Sequence, residues 1–301
     1  MGCFKPLMAH RLEDGSISFS ARYGEGDALQ LPCGQCIGCR IDRSRMWAVR
    51  CMHEASLHAD NAFITLTYST ENLPEGGSLD YVHFQKFMKR LRKRFAGRNI
   101  RFYMCGEYGE LNSRPHYHAI LFNCKFEDLV PWGKAKSGEI IYRSKILEEL
   151  WPFGHSTVGS VTLQSAGYVA RYVMKKINGE RAKSHYERID EDGVVNQLVP
   201  EFNRMSLKPG IAQGWFDKFY SDVYPLDAVV LHGGQKMKPP KFYDLKYDAL
   251  EPYEFEAIQQ ERILRAIARA EEHTPERLAV KEQVLASKTQ RLHRSFERGL
   301  S

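Results

Sequence analysis

The segment RPHYHAILF, at Arg114–Phe122, decides the fold and carries the first residues that suggest chemistry. Side chains two residues apart on a β-strand point to the same face, so His116 and His118 project together, about 6.5–7 Å apart along the strand. The alternate residues should face the other way, into a core: Tyr117, Ala119 and Leu121. A lone strand histidine is usually structural, whereas two on one face can converge on a single metal ion.

The segments around this strand predict more β-structure and an amphipathic helix. FITLTYS at Phe63–Ser69 and IRFYMCGEY at Ile100–Tyr108 are rich in β-forming residues, and Val158–Leu163 has a similar character. Between the first two, Asp80 can cap a helix that runs to Phe95. One stripe of this helix is apolar and should face a core; it comprises Phe84, Phe87, Met88, Leu91 and Phe95. Strands and helices therefore alternate along the middle of the chain.

A metal ion held by the two histidines needs a third ligand, which a neighbouring strand should supply. Glu107 lies near the end of the preceding predicted strand and is the preferred choice, with Glu110 in the following turn as the second. Two imidazoles and a carboxylate suit a hard divalent ion that also contacts phosphate oxygens, so we expect Mg²⁺ or Mn²⁺. The HxHxDH pattern of other metallohydrolases fits less well, because Ala119–Leu121 stand where that pattern has further ligands.

A helix that starts near Ser165 carries the candidate nucleophiles. At about 100° per residue, Tyr168 and Tyr172 share one arc of this helix with Arg171 and Lys175. The opposite arc is apolar and can be buried without the tyrosines; it comprises Val169, Ala170, Val173, Met174 and Ile177. A phenol has a pKa of about 10, and a nearby cation favours the phenolate and screens an attacked phosphate. Two tyrosines one turn apart can therefore take turns at one metal-bound phosphate, with Lys175 assisting.

Four cysteines near the N-terminus form a second candidate metal site. Cys33, Cys36 and Cys39 lie in CGQCIGC, and Cys3 can supply a fourth thiolate. This spacing suits tetrahedral zinc, which would be structural because four thiolates leave no open coordination position. The total of seven cysteines is odd, which favours thiols or metal ligands over disulfides in a cytosolic chain. A glycine-rich turn with unmetallated thiols is the alternative.

Together these motifs resemble a known family of DNA-processing enzymes. RPHYHAILF is similar to the metal-binding strand of HUH endonucleases, the rolling-circle replication initiators and relaxases, and AGYVARYVMKK at Ala166–Lys176 is similar to their two-tyrosine catalytic helix. FITLTYS resembles the family's first conserved strand. CGQCIGC and CGEYG are similar to segments of the replication initiators of microviruses of the gokushovirus type, small circular single-stranded DNA phages. The resemblance covers roughly residues 3–180 and implies an α+β fold with a ferredoxin-like antiparallel sheet flanked by helices.

The resemblance also implies a reaction and its partners. One tyrosine nicks the viral origin in single-stranded DNA and forms a 5′-phosphotyrosine, which leaves a 3′-hydroxyl for a host DNA polymerase. The second tyrosine cuts the regenerated origin, and the strand is rejoined. A host helicase is expected, since a P-loop is absent from the sequence and no nucleotide cofactor is implied. These events would take place in the host bacterial cytoplasm.

Basic residues supply candidate contacts to DNA phosphates. The formal net charge of +6 favours an anionic partner, although only mildly. The candidates are Arg114, Arg171, Lys176, Lys89 and Lys93. The last two lie on the predicted helix after Asp80, where a solvated helix face explains their charge equally well.

The chain divides into three regions, and its 43% hydrophobic content is enough for a sizeable core. We expect a Cys-rich, zinc-binding segment at 1–57, the endonuclease domain at 58–200 and an accessory region at 201–301 whose end is helical. A helix is predicted in the first region, from Arg40 to Leu57. The sequence contains no apolar stretch of the length needed to span a bilayer, so no membrane partner is expected.

The last region gives two local predictions. KPPKFYDLKYDALEP at Lys238–Pro252 has the composition of a Pro- and Tyr-rich connector. Thr274 and Pro275 should begin a helix that continues to about Arg298, because threonine favours the N-cap and proline the first helical position.

Two other functions explain part of the sequence. A non-catalytic zinc-containing nucleic-acid-binding protein accounts for the cysteines and the charge, but not for two histidines and two tyrosines at catalytic spacing. A metal-dependent phosphodiesterase that uses water accounts for the histidines, with tyrosines that only bind phosphate. A covalent protein–DNA adduct distinguishes both from a tyrosine nuclease.

Overall fold

The structure, a computed structural model, describes residues 2–20, 26–109, 113–135, 138–171, 180–189, 193–231 and 233–296. Glu110, Tyr172, Lys175 and Lys176 lie outside these ranges. Within them, none of the helices is both long and apolar enough to cross a membrane.

The elements fall into three groups along the chain. The first group comprises β1 (Leu7–Arg11), β2 (Ile17–Ser18), β3 (Asp27–Leu31) and α1 (Ile37–Ser56). The second comprises β4 (Asn61–Thr67), α2 (Tyr81–Arg94), β5 (Arg101–Tyr108), β6 (Pro115–Phe122), β7 (Val130–Lys134), β8 (Ile140–Arg143), α3 (Lys145–Leu150), β9 (Ser156–Gly159) and α4 (Leu163–Arg171). The third comprises α5 (Glu180–His185), β10 (Glu187–Ile189), β11 (Val195–Gln197), β12 (Phe202–Met205), α6 (Gln213–Phe219), β13 (Val229–Val230), β14 (Lys236–Met237), α7 (Lys241–Leu250), α8 (Pro252–Ile267) and α9 (Pro275–Phe296).

The main sheet has seven strands in the order β12-β5-β6-β4-β9-β8-β7. All of its strand pairs are antiparallel. Its four central strands follow the chain order β4, β5, β6 and β9, with α2 after the first and α3 before the last, which is a ferredoxin-like βαββαβ arrangement. The predicted α+β fold with an antiparallel sheet, a Cys-rich N-terminus and a helical C-terminus is confirmed.

Strand β6 lies inside this sheet, between β5 and β4, and is covered on both faces. One set of its side chains enters the core formed with α2 and α3, as the alternation predicts: Tyr117, Ala119 and Leu121. Ile120 and Phe122 enter a second core, which contains residues of α1 and α4. A strand buried on both faces is apolar almost throughout, so the two histidines are the exceptions that need an explanation.

Helix α2 matches its prediction closely. The Asp80 carboxylate accepts a hydrogen bond of 2.8 Å from the Val82 backbone nitrogen, which caps the first turn. The buried side chains are the predicted stripe: Phe84, Phe87, Met88 and Leu91. Burial of each contributes roughly 1.5–3 kcal/mol. The helix ends at Arg94, with Phe95 as its C-cap.

Two predicted element boundaries were wrong, the end of the strand that begins near Val158 and the start of α1. The segment Val158–Leu163 is not one strand, because β9 ends at Gly159 and Leu163 begins α4. The Thr162 backbone nitrogen donates to Ser165 Oγ at 2.8 Å, and the Ser165 nitrogen donates to Thr162 Oγ1 at 3.1 Å. Such reciprocal bonds start a helix.

Helix α1 begins at Ile37, three residues before the predicted Arg40. Cys36 is its N-cap in an extended conformation, so the cysteine segment leads directly into the helix. A Cβ at Gly38 would clash with the Gly2 carbonyl oxygen and the Phe4 ring. Glycine therefore allows the N-terminal segment to lie against the first turn of α1.

The predicted connector Lys238–Pro252 is instead helical, forming α7 and the start of α8. Tyr243 and Tyr247, one turn apart, are buried in the core with α1. The prolines mark helix starts rather than an extended linker, because Pro240 precedes the first turn of α7 and Pro252 is the first residue of α8.

Residues after 200 contribute to the same sheet and core. Strand β12 forms the edge next to β5. Arg101 on β5 donates from Nη2 to the Pro209 carbonyl oxygen at 2.7 Å, and the Ala212 nitrogen donates to Glu54 on α1 at 2.6 Å. Helix α9 begins at Pro275, as predicted, and Thr274 Oγ1 accepts from the Arg277 nitrogen at 3.4 Å.

Candidate metal and nuclease site

The pairing of β5 with β6 brings a carboxylate to the two strand histidines. Glu107 pairs with His116, and Cys105 pairs with His118. One carboxylate oxygen, Glu107 Oε1, lies 2.7 Å from His116 Nε2 and 3.0 Å from His118 Nε2. The ligand atoms of all three residues lie within 4.8 Å of one another, an arrangement that could hold a metal ion. We call Glu107, His116 and His118 the histidine–glutamate cluster.

Both imidazoles are oriented by a partner on the opposite ring nitrogen. His116 Nδ1 lies 3.0 Å from the Arg114 carbonyl oxygen, and His118 Nδ1 lies 2.9 Å from Thr65 Oγ1. A neutral imidazole that donates from Nδ1–H keeps a lone pair on Nε2, which is the form that binds a metal ion. In this structure both Nε2 atoms lie within hydrogen-bond distance of Glu107 Oε1, to which they can donate, so a bound cation would take the place of the protons at Nε2.

The Glu107 carboxylate is almost fully buried, with 1% exposure. Burial alone would raise its pKa, but the charge of His116 and hydrogen bonds from both histidines outweigh burial and lower the pKa to about 2. The carboxylate therefore stays ionised at neutral pH. A buried negative charge between two imidazole nitrogens provides electrostatic attraction for a cation.

Helix α4 places a tyrosine directly against this cluster. The Tyr168 ring meets the His118 ring edge-on, with 5.0 Å between centroids and 84° between planes. Residues on the predicted apolar arc are buried, namely Val169 and Ala170, while Tyr168 and Arg171 are half-buried. Tyr168 therefore lies outside the buried apolar arc of α4, on the side of the helix that contacts His118.

The candidate DNA contacts do not all lie near this cluster. Arg114, directly before β6, is held against the loop after β4, where its Nη1 donates to the Tyr68 carbonyl oxygen at 2.8 Å. Lys89 and Lys93 are exposed on α2, whose core lies on the opposite face of the sheet from His118. Arg171 is three residues beyond Tyr168 on α4.

Two residues that orient His118 were missed by the sequence analysis. They are Thr65, described above, and Phe63, whose ring stacks on the His118 ring with 5.7 Å between centroids and 13° between planes. Both lie on β4, on the face that His118 occupies on β6. The alternation of FITLTYS already placed Phe63 and Thr65 on one face, but their partner depends on the register between strands.

The four N-terminal cysteines converge at the start of α1. The sulfurs of Cys3, Cys33, Cys36 and Cys39 lie within 4.8 Å of one another, and we call them the cysteine cluster. The Cys33 nitrogen donates to Cys3 Sγ at 3.2 Å, and the Phe4 nitrogen donates to Cys36 Sγ at 3.3 Å. Each residue is a free cysteine. Backbone N–H groups directed at clustered sulfurs stabilise thiolates, which is the form that binds zinc.

Ionisation within the cysteine cluster is unequal. Burial opposes ionisation of Cys36, yet backbone hydrogen bonds from Cys39 and Phe4 prevail and lower the pKa of its thiol to about 7. Burial raises the pKa of the Cys39 thiol, and the adjacent sulfurs of Cys3 and Cys36 raise it further. The sulfurs therefore interact closely, and a cation among them would relieve the repulsion between thiolates.

The comparison with protein families agrees with this architecture. The family model described as "Replication-associated protein ORF2/G2P" matches residues 61–177. The match begins at β4 and includes the histidine–glutamate cluster and Tyr168. No solved structure matches the chain.

Curated relatives extend the match over most of the chain. The replication-associated protein VP4 of Bdellovibrio phage phiMH2K is 32% identical over 261 residues, covering 84% of this chain and 79% of the relative. The replication-associated protein ORF2 of Spiroplasma virus 4 is 32% identical over 312 residues, covering 96% of this chain and 91% of the relative. The replication-associated protein ORF4 of Chlamydia phage 1 is 41% identical over 157 residues, covering 50% of this chain and 39% of the relative. The chain belongs to the replication-associated proteins of microviruses.

Proposed function

We propose that this chain initiates rolling-circle replication by nicking and rejoining single-stranded DNA with a tyrosine nucleophile. The observation that carries the proposal is the contact between Tyr168 and His118, whose Nε2 lies 3.0 Å from Glu107 Oε1. A nucleophile thus adjoins a set of ligands suited to a phosphate-binding metal. Membership in the replication-associated family supports the biological role.

The histidine–glutamate cluster fits a divalent cation such as Mg²⁺ or Mn²⁺. Its donor set is two imidazole nitrogens and an ionised carboxylate, whose ligand atoms lie within 4.8 Å of one another. A bound divalent ion would reduce the negative charge on the scissile phosphate and orient it for in-line attack. The residues Thr65 and Arg114 keep the imidazoles in position for this ion.

The chemical step transfers a phosphoryl group from the DNA strand to the protein. The Tyr168 oxygen loses its proton to solvent and forms a bond to phosphorus, while the bond between phosphorus and the 3′ oxygen breaks. The 3′ oxygen takes up a proton and leaves as a hydroxyl, and the new 5′-phosphotyrosine retains the energy needed for rejoining. Tyr172, four residues further along the sequence, is proposed to act in the second cleavage.

The partners that we propose are the viral DNA and host replication proteins. The substrate is the origin of the viral genome in single-stranded form. A host helicase separates the strands, and a host polymerase extends the free 3′-hydroxyl. These partners place the reaction in the host cytoplasm.

We also propose that the cysteine cluster holds a structural zinc ion. Four sulfurs within 4.8 Å of one another match the donor number and type of structural zinc sites. The cluster lies against α9 through a small core of Phe4, Cys36, Leu278 and Leu285. Zinc would therefore fix the N-terminal segment that α9 packs on.

The nuclease proposal is tested by trapping a covalent adduct with a single-stranded oligonucleotide that contains the viral origin. Wild-type protein with Mg²⁺ or Mn²⁺ is expected to give an adduct that survives denaturation. A chelator or His118→Ala should remove the adduct, whereas His273→Ala, at an exposed histidine before α9, should not. Cleaved DNA without an adduct would favour the water-using phosphodiesterase. Binding without cleavage would favour the zinc-containing binding protein.

A further inference from the structure

The face of the sheet that carries His118 continues as a row of paired residues towards β7. Thr65 pairs with His118 on β6 and with Thr157 on β9. Residues paired across strands project to the same face. The row therefore leads away from the histidine–glutamate cluster across β4 and β9.

Arg143 on β8 lies at the far end of this row. Tyr142 pairs with Val158 on β9, so Arg143, the next residue along the antiparallel strand, lies beside Thr157. Three inter-strand steps separate β6 from β8, a distance of about 15 Å. A single strand of DNA can span that distance with a few nucleotides.

An exposed tryptophan is stacked on Arg143 at this position. The Arg143 guanidinium lies over the Trp132 ring, 4.8 Å from its centroid, and Trp132 is 64% exposed. Arg143 is itself held by Glu148, with Nε donating to Oε1 at 2.6 Å. The guanidinium therefore has a fixed orientation and supports one side of the indole, while much of the ring remains open to solvent.

The path between the cluster and this tryptophan is buried at Thr65 on β4 and becomes more exposed on β9. Helices α1 and α4 pack against β6, and α4 also packs against β5. Thr157 and Gly159 on β9 are only half-buried. A DNA strand that passes over the buried Thr65 can therefore contact the more exposed surface of β9 on its way to the stacked pair.

We propose that Trp132 and Arg143 form a base-stacking platform for single-stranded DNA that extends from the scissile phosphate. This inference rests on the proposed nuclease function and adds a second contact point on the substrate. Aromatic rings bind bases of any sequence through their π-faces, and a neighbouring arginine strengthens the site. Lys134 and Lys145, both exposed and each two residues from a member of the pair along the chain, supply positive charge for the DNA backbone.

A second copy of the chain is a weaker candidate for this surface. An exposed edge strand can pair with another edge. However, β7 contains Pro131 and an irregularity in register between Pro131 and Gly133. Both features oppose edge-to-edge pairing, whereas neither blocks a base from the Trp132 ring.

The test compares binding of two origin oligonucleotides, one ending close to the nick and one extended by several nucleotides on either side. Trp132→Ala is expected to weaken binding of the extended oligonucleotide about 5- to 100-fold, with little effect on the short one. Trp132→Phe should restore most of the affinity. Two controls should bind both oligonucleotides normally: Tyr253→Ala, which removes an aromatic ring that is 87% exposed on α8, and Val130→Ala, which removes an apolar side chain from β7.

The outcomes separate this inference from the nuclease proposal. Equal affinity of wild type and Trp132→Ala for the extended oligonucleotide would overturn the platform, even if the adduct forms. If Trp132→Ala loses affinity for the extended oligonucleotide while the wild-type protein forms no covalent adduct, the stacking platform is supported and the tyrosine nuclease is rejected. A change in sedimentation without a change in DNA affinity would assign the edge to self-association and overturn the inference.

Discussion

Thr65 Oγ1 lies 2.9 Å from His118 Nδ1, across the pairing of β4 with β6. The hydroxyl is buried with the histidine, so this contact is protected from solvent. It fixes the orientation of the imidazole whose other nitrogen faces Glu107. Thr65 is therefore a positioning residue, since it acts on the site through His118.

Thr65→Val removes this hydroxyl and keeps the shape of the side chain. Loss of such a partner typically weakens metal binding about 10- to 100-fold, so cleavage should need more Mn²⁺ and recover when the metal is in excess. Titration of adduct yield against Mn²⁺ measures the shift. Thr157→Val, at the paired position on β9, is the matched control and should leave the metal requirement unchanged. An unchanged requirement in Thr65→Val would show that the hydroxyl does not orient a ligand.

Glu107→Gln tests the carboxylate ligand with a neutral side chain of the same size. Because the pKa of Glu107 is lowered to about 2, the wild-type group is charged at any pH used for cleavage. We expect a loss of metal-dependent cleavage on the order of 100-fold or more. Glu110→Gln should have a smaller effect. The reverse ranking would make Glu110 the third ligand.

Zinc analysis tests the cysteine cluster. Protein purified without chelator should contain about one zinc per chain, and Cys33→Ala should lose it. Cys124→Ala is the control, since this buried cysteine lies outside the cluster. Zinc removal should also increase hydrogen exchange in α9, whose Leu278 packs on the cluster. A zinc-free native protein with reactive thiols would leave the cluster an unmetallated turn.

Acid should destabilise the fold partly through His53 on α1. This ring stacks on Trp215 at 3.6 Å between centroids, and its Nδ1 lies 2.7 Å from the Tyr243 hydroxyl. Burial lowers its pKa to about 4, whereas the unfolded chain takes up the proton at a pH of about 6.5. The unfolded state therefore binds more protons between these values, and stability falls as the pH decreases through that window.

The contribution of His53 is on the order of 3 kcal/mol once the pH is below about 4. Denaturant midpoints measured from neutral to acidic pH should decrease less steeply in His53→Gln than in wild type. His273→Gln, at an exposed position, should follow the wild-type slope. Parallel slopes for wild type and His53→Gln would contradict a depressed pKa.

Local patterns predicted the elements that carry the candidate site. Alternation specified the faces of β6, and the cap at Asp80 specified the start of α2. The contacts that complete the site depend on register between distant segments, as for Thr65 and His118, and single-sequence patterns do not contain that information. The same limit applies to β12, which pairs with β5 although residues of several other elements separate them in the chain.

The errors in the helical regions have local physical causes. Thr162 and Ser165 bond to each other at the start of α4, so the extended conformation of β9 does not continue to Leu163. In the segment Lys238–Pro252, the prolines suggested a linker, but proline is equally compatible with the first turn of a helix. Burial of Tyr243 and Tyr247 against α1 then stabilises that helix.

The central claim, tyrosine as the nucleophile, is tested most directly by mapping the peptide that is covalently attached to an origin oligonucleotide. The account predicts phosphotyrosine at Tyr168 or Tyr172, with each single Phe variant still forming an adduct. The double variant Tyr168→Phe/Tyr172→Phe should bind DNA without forming one, because phenylalanine keeps the ring and removes only the nucleophile. An adduct on another residue, or undiminished cleavage by the double variant, would contradict the account.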